Sequence, residues 1–156
     1  MKKVIKIILA IVLFFFIAIQ LYQPALNVNK GQVDKTDFAK VYTVPENVQN
    51  ILQNACYDCH SNNTKNTWYS NIQPMAWMMK RHIDNGKEKL NFSEFGSISS
   101  RRQISKLKGI ANQIKDDEMP LASYKIMNSY AKLSKEQKSL IMDWMNKKAD
   151  SLSIEN

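Results

Sequence analysis

Cys56-Tyr57-Asp58-Cys59-His60 brings together both cysteines of the chain and one of its two histidines. Two thiols three positions apart can each add to a vinyl group of one porphyrin, giving two thioether bonds. The histidine that follows is then held beneath the iron. C-x-x-C-H accordingly reads as a c-type haem attachment site, with one haem bound covalently through Cys56 and Cys59 and His60 as proximal iron ligand. Other uses of these residues compete. A structural zinc site takes four ligands, mostly N or S. Cys56, Cys59, His60 and His82 are all the Cys and His the chain has, and adjacent Cys59 and His60 would strain a tetrahedron. A redox C-x-x-C normally accompanies a βαβ pattern, which is missing here, and a plain disulfide is the remaining option.

The far side of the iron needs a second ligand if the site is to be closed. Met119 is the first candidate. It precedes Pro120 in a turn, and methionine opposite histidine is the pairing that raises the potential of cytochromes c. The competing reading makes it one of eight methionines filling a gap. His82 is the rival, either as sixth ligand or as a partner for a haem propionate, because it shares a helix with Met75, Met78 and Met79. Trp68, Tyr69, Trp77 and Met78 are expected to line the haem pocket, with Phe92 and Trp144 as further candidates. Arg81, Arg101 and Arg102 can pair with propionates through charge-assisted hydrogen bonds.

These residues must be delivered and positioned. Val4 to Tyr22 is apolar apart from Lys6 and Gln20, and about 20 such residues cross a hydrocarbon core of roughly 30 Å. Lys2, Lys3 and Lys6 keep the N-terminus cytoplasmic by the positive-inside rule. Residues 1–22 are therefore expected to form a single-pass inner-membrane anchor, with the remainder periplasmic. A cleaved signal is the alternative, but its apolar region would run to about 7–15 residues before a small-x-small site. Gln20-Leu21-Tyr22-Gln23-Pro24 is a poor one.

Residues 23–42 are polar and read as a tether, residues 43–149 as one haem-binding domain, and residues 150–156 as a frayed tail. Thr43-Val44-Pro45-Glu46 has the form of a capping box, and Val48, Ile51, Leu52 and Ala55 then recur on one helical face leading into Cys56. A second helix fits Ile72 to Asp84, ended by Asn85-Gly86. Residues 90–96 read as a loop packed down by aromatics. A third helix fits Ser100 to Lys115, and a last one starts at Ser134 with Gln137 completing a capping box. No segment alternates like a strand, so the fold class is all-α. The net charge of +8 raises the question of nucleic acid, which a chain sent across a membrane rarely meets. A basic face that docks an acidic redox partner or anionic lipid is the preferred reading.

Two resemblances rest on these residues. The order of a helix ending in Cys56–His60, a late methionine in Glu118-Met119-Pro120 and a closing helix from Ser134 is similar to the class I cytochrome c plan. More narrowly, the chain resembles the membrane-anchored haem-binding domain family of Bacteroidetes-type bacteria. Its segments stand here as Cys56-Tyr57-Asp58-Cys59-His60-Ser61-Asn62, Trp68-Tyr69-Ser70-Asn71-Ile72-Gln73-Pro74, His82-Ile83-Asp84-Asn85-Gly86, Leu90-Asn91-Phe92-Ser93-Glu94-Phe95 and Glu118-Met119-Pro120-Leu121. The likeness covers roughly residues 45–148. It implies a small cytochrome c-like helical domain around a covalent haem. Together these readings lead to the expectation of an electron carrier rather than an enzyme. A haem peroxidase or gas sensor with an open sixth position is the alternative, and an accessory subunit of a larger complex a third.

Overall fold

The computed structural model describes residues 1–29, 33–65 and 67–154. Among them every regular element is helical, as the patterning predicts, and no strand occurs. The first helix, α1 (Lys2–Gln20), has no buried residue. It is long and apolar enough to cross a membrane, a character that an N-terminal signal sequence shares.

Beyond α1 a short helix, α2 (Phe38–Val41), opens on Asp37, whose carboxylate accepts the Ala39 N–H at 2.9 Å. This segment departs from the expected tether. Phe38 is fully buried, and its ring meets Phe92, Phe95 and Trp144 edge-on at centroid distances of 5.2, 4.9 and 5.5 Å. Edge-to-face packing is the favoured arrangement for such rings. The core thus starts before residue 43, and the polar composition of the segment hid one decisive aromatic. Residues 30–32 of the same stretch lie outside the described residues.

Helix α3 (Glu46–Ala55) buries Val48, Ile51, Leu52 and Ala55, the expected face. Its start differs from expectation, because Pro45 occupies the N-cap and makes no side-chain cap bond. Thr43 is therefore too far back to form the box. A single turn, α4 (Tyr57–His60), follows directly. A 3₁₀ turn over Trp68–Asn71 leads to α5 (Met75–Lys89), which runs straight through Asn85-Gly86. A second 3₁₀ turn, Phe92–Ser97, stands where the aromatic-packed loop was expected and buries Phe92 and Phe95.

Helix α6 (Ser100–Lys115) has the expected bounds. It packs along α8 (Lys135–Ile154), the most extensive helix pair in the fold. At the start of α8 the Ser134 N–H donates to Gln137 Oε1 at 2.9 Å and the Gln137 N–H to Ser134 Oγ at 3.2 Å, so this capping box does form. The helix continues past residue 149 to Ile154, with Leu152 buried, where fraying was expected. Residues 155–156 of that tail lie outside the described residues. Between α6 and α8 lie α7 (Ala122–Met127) and a 3₁₀ turn over Ser129–Ala131, neither of which the periodicity marked.

Candidate functional site

The site grows from the junction of α3 and α4. Cys56 is the C-cap of one helix and the N-cap of the next, and the Cys59 and His60 N–H groups both donate to its carbonyl, at 3.2 and 3.0 Å. That one-turn wrap puts Cys56, Cys59 and His60 on the wall of a single cavity lobe of about 240 Å³. The thiols are free and half-buried. Burial, with a smaller contribution from its neighbour Cys59, raises the Cys56 thiol to about 12. Burial and the charge of Asp58 raise Cys59 to about 11. Both sulfurs therefore carry their protons at neutral pH, unlike the low-pKa thiolates of redox motifs. Among the described residues no three His, Cys, Asp or Glu side chains come together to hold a metal ion, which leaves a zinc site short of ligands.

His60 is oriented from below. Its Nδ1 lies 2.9 Å from the Gly86 carbonyl oxygen and 3.0 Å from that of Leu90. Carbonyl oxygens only accept, so Nδ1 carries the ring proton and Nε2 keeps its lone pair. Burial lowers the His60 pKa from its usual value, although the two carbonyl contacts act in the opposite sense. The ring is thus a neutral imidazole with one committed nitrogen and one basic one. That is how metal-binding histidines are held.

The Gly86 carbonyl reaches His60 because α5 comes unusually close to α4. A Cβ on Gly86 would lie 2.5 Å from the Cys59 carbonyl oxygen, nearer than any side chain tolerates. This glycine sits inside a continuous helix, where the sequence pattern reads it as a terminator. Its role is close approach.

The two intervening residues of the motif turn away from the cavity. Tyr57 stacks on Phe92 at 4.8 Å and donates weakly to Asp37 at 3.4 Å. Asp58 is buried, and its carboxylate accepts the Tyr124 hydroxyl at 2.5 Å and the Lys65 N–H at 3.1 Å. Burial, followed by the bond to Asp58, holds the Tyr124 phenol well above its ordinary range. Tyr124 in turn lines the larger lobe.

Met119 arrives from the turn that follows α6. The Gln113 carbonyl accepts the Glu118 and Met119 N–H groups at 3.0 and 3.1 Å, closing α6 into a tight turn. Asp117 sits there in the left-handed region at φ 59° and is paired with Lys138 of α8. Asp tolerates this conformation better than most residues. A second lobe, of about 120 Å³, is lined by Phe92, Ile110, Ile114 and Leu133. Cys56, His60, Met119 and Pro120 line both lobes. Donors well separated in sequence therefore share one largely apolar cavity.

His82 lines the larger lobe only. The four other residues expected in the pocket line neither lobe. Tyr69 is buried elsewhere, its hydroxyl donating to Asn128 Oδ1 at 2.9 Å, and it flanks a small cavity beside Met78 and His82. Trp68 and Trp77 are exposed on the outside of the domain. A larger open groove of about 630 Å³ runs past Asp37, Tyr57 and Asp58, but neither cysteine nor either histidine lines it.

The donor set has a consistent chemistry. Two neutral thiols one helical turn apart, an imidazole with a free Nε2 and a thioether sulfur around an apolar cavity fit a haem held by thioether bonds. Residues 14–147 match the family described as Haem-binding domain. No curated protein and no solved structure matches the chain.

Proposed function

The chain belongs to this haem-binding domain family, and from that premise we propose that it is a membrane-anchored, monohaem c-type cytochrome that transfers electrons on the periplasmic side of a bacterial inner membrane. The orientation of His60 carries the reading. Two carbonyls hold its Nδ1 proton and leave Nε2 for iron, one residue from the second of two free thiols. In this account Cys56 and Cys59 hold the haem covalently, His60 is the proximal ligand and Met119 the sixth. The bound haem supplies one-electron chemistry at iron. The protein's part is to keep the ligands fixed and the surroundings apolar, so that neither oxidation state demands much rearrangement. Uncleaved α1 tethers the unit, whose helical body extends from α2 to the end of α8 rather than over residues 43–149 alone. The net charge of +8 favours an acidic redox partner and a rate that falls with salt.

A second reading has one observation in its favour, the place of His82 on the larger lobe. With His82 as distal residue and Met119 not ligating, the site would serve a peroxidase or gas sensor. Absorption spectra of the haem-loaded protein decide between them. The carrier account expects a low-spin spectrum indifferent to carbon monoxide, converted by Met119→Ala to a high-spin form that binds it, with His82→Ala like the wild type. A high-spin wild type that binds carbon monoxide without any substitution would sink the carrier.

A further inference from the structure

The end of α1 is clipped to the folded domain by side-chain amides. Gln20 Oε1 accepts the Gln73 N–H at 2.9 Å, and Gln20 Nε2 donates to the Gln73 carbonyl at 3.3 Å. Gln73 Nε2 donates to the Tyr22 carbonyl at 2.7 Å, and Gln23 Nε2 to that of Asn71 at 3.1 Å. Gln73 is itself buried, and its Oε1 accepts the Trp77 N–H at 3.2 Å. One glutamine thus ties the exit of α1 to the first turn of α5. Here the chain is held in place and does not act as a slack tether.

The segments joined by this clip carry large apolar side chains that the fold leaves uncovered. Trp68 is 74% exposed, Trp77 58% and Ile72 39%, beside Tyr22 at 66%. Exposed apolar side chains gathered in one region mark an interaction surface. Arg81, one turn beyond Trp77 and exposed, shares its helix face. Indole rings with a basic neighbour suit the boundary between lipid headgroups and acyl chains.

We infer that this face, formed by Tyr22, Trp68, Ile72 and Trp77, lies in the headgroup layer of the membrane that α1 crosses, holding the domain in one orientation. The inference rests on the reading of α1 as an uncleaved anchor. The occupant is lipid because the face starts where α1 ends. Whatever covers Tyr22 lies next to the mouth of the membrane span. The consequence concerns the haem site. Gly86, whose carbonyl orients His60, follows Trp77 by nine residues on α5, about 14 Å of helix. Docking would therefore set a ceiling on the height of the site above the lipid, suited to a partner moving in the plane of the membrane.

Hydroxyl-radical labelling tests this in the full-length, haem-loaded protein reconstituted in vesicles of phosphatidylethanolamine and phosphatidylglycerol. Oxidation is read residue by residue by mass spectrometry, with Tyr130, 49% exposed, as the internal reference. Alkaline carbonate washing of the same vesicles reports on α1 separately. The expected result is a chain that resists washing and in which Trp68 and Trp77 are oxidised several-fold more slowly than Tyr130. A wash-resistant chain whose Trp68 and Trp77 are oxidised as fast as Tyr130 overturns the docked face and leaves the anchor standing. Release by carbonate overturns the anchor and the inference together.

Discussion

The chemistry at residue level divides the C-x-x-C-H motif in two. Cys56, Cys59 and His60 stand out in the sequence because the proposed attachment to one macrocycle would require them to be neighbours, and the structure places all three on one cavity lobe. Tyr57 and Asp58 do not stand out, because a motif leaves its intervening positions blank. In the structure they anchor the motif from behind, Tyr57 by stacking on Phe92 and Asp58 by accepting the Tyr124 hydroxyl and the Lys65 N–H. Asp58→Ala leaves the buried Tyr124 hydroxyl without that acceptor, a loss of about 1–3 kcal/mol that denaturant unfolding of the haem-loaded protein should register. Trp68 and Trp77 show the opposite failure. Their residue type suits a porphyrin wall and a membrane interface equally well, and only the fold says which side they face.

Among the elements, α5 departs furthest from its local sequence signals. Asn85-Gly86 carries a standard stop signal, yet the helix continues to Lys89, because packing of α5 on α4 outweighs a local preference. Gly86 is needed where two backbones meet, and no spacing rule distinguishes that glycine from a terminator. Gly86→Ala places a methyl group against the Cys59 carbonyl. Overpacking of this kind costs about 1–3 kcal/mol, and displacing the carbonyl that orients His60 should also lower the yield of haem-loaded protein on expression. Gly109 in α6 provides the contrast, since a Cβ there meets nothing within 4 Å. Gly109→Ala should stabilise by roughly 0.5–1 kcal/mol through helix propensity alone, measurable by the same unfolding experiment. Two glycines in helices thus shift stability in opposite directions. The bounds of α6 and the capping box of α8 were readable because both depend on local periodicity and local hydrogen bonds. The helix α7 was not, being short and placed by Tyr124.

For the whole molecule, the unexpected part is the N-terminal boundary. Phe38 has no periodic neighbours to advertise it, and its burial depends on Phe92, Phe95 and Trp144 arriving from two later elements. Phe38→Ala should cost about 3–5 kcal/mol, seen as a lowered Tm of the haem-loaded protein. A chain beginning at Thr43 should behave no better. The all-helical class and the apolar N-terminal helix were both evident from patterning, since each is a property of long stretches. The motif and the late Met119-Pro120 turn suggested that His60 and Met119 belong to one site, and the fold brings both to the same cavity walls; patterning could not supply the remaining walls, such as Ile110, Leu133 and Tyr124. In the proposed function the two thiols carry a haem, and intact-mass measurement of the chain, made in cells competent for c-type haem attachment and then fully denatured, decides whether they do. The expected mass is raised by one haem, an increment lost when Cys56→Ser and Cys59→Ser are combined. A wild-type chain at the mass of its polypeptide alone, with any haem released on denaturation, would contradict that function.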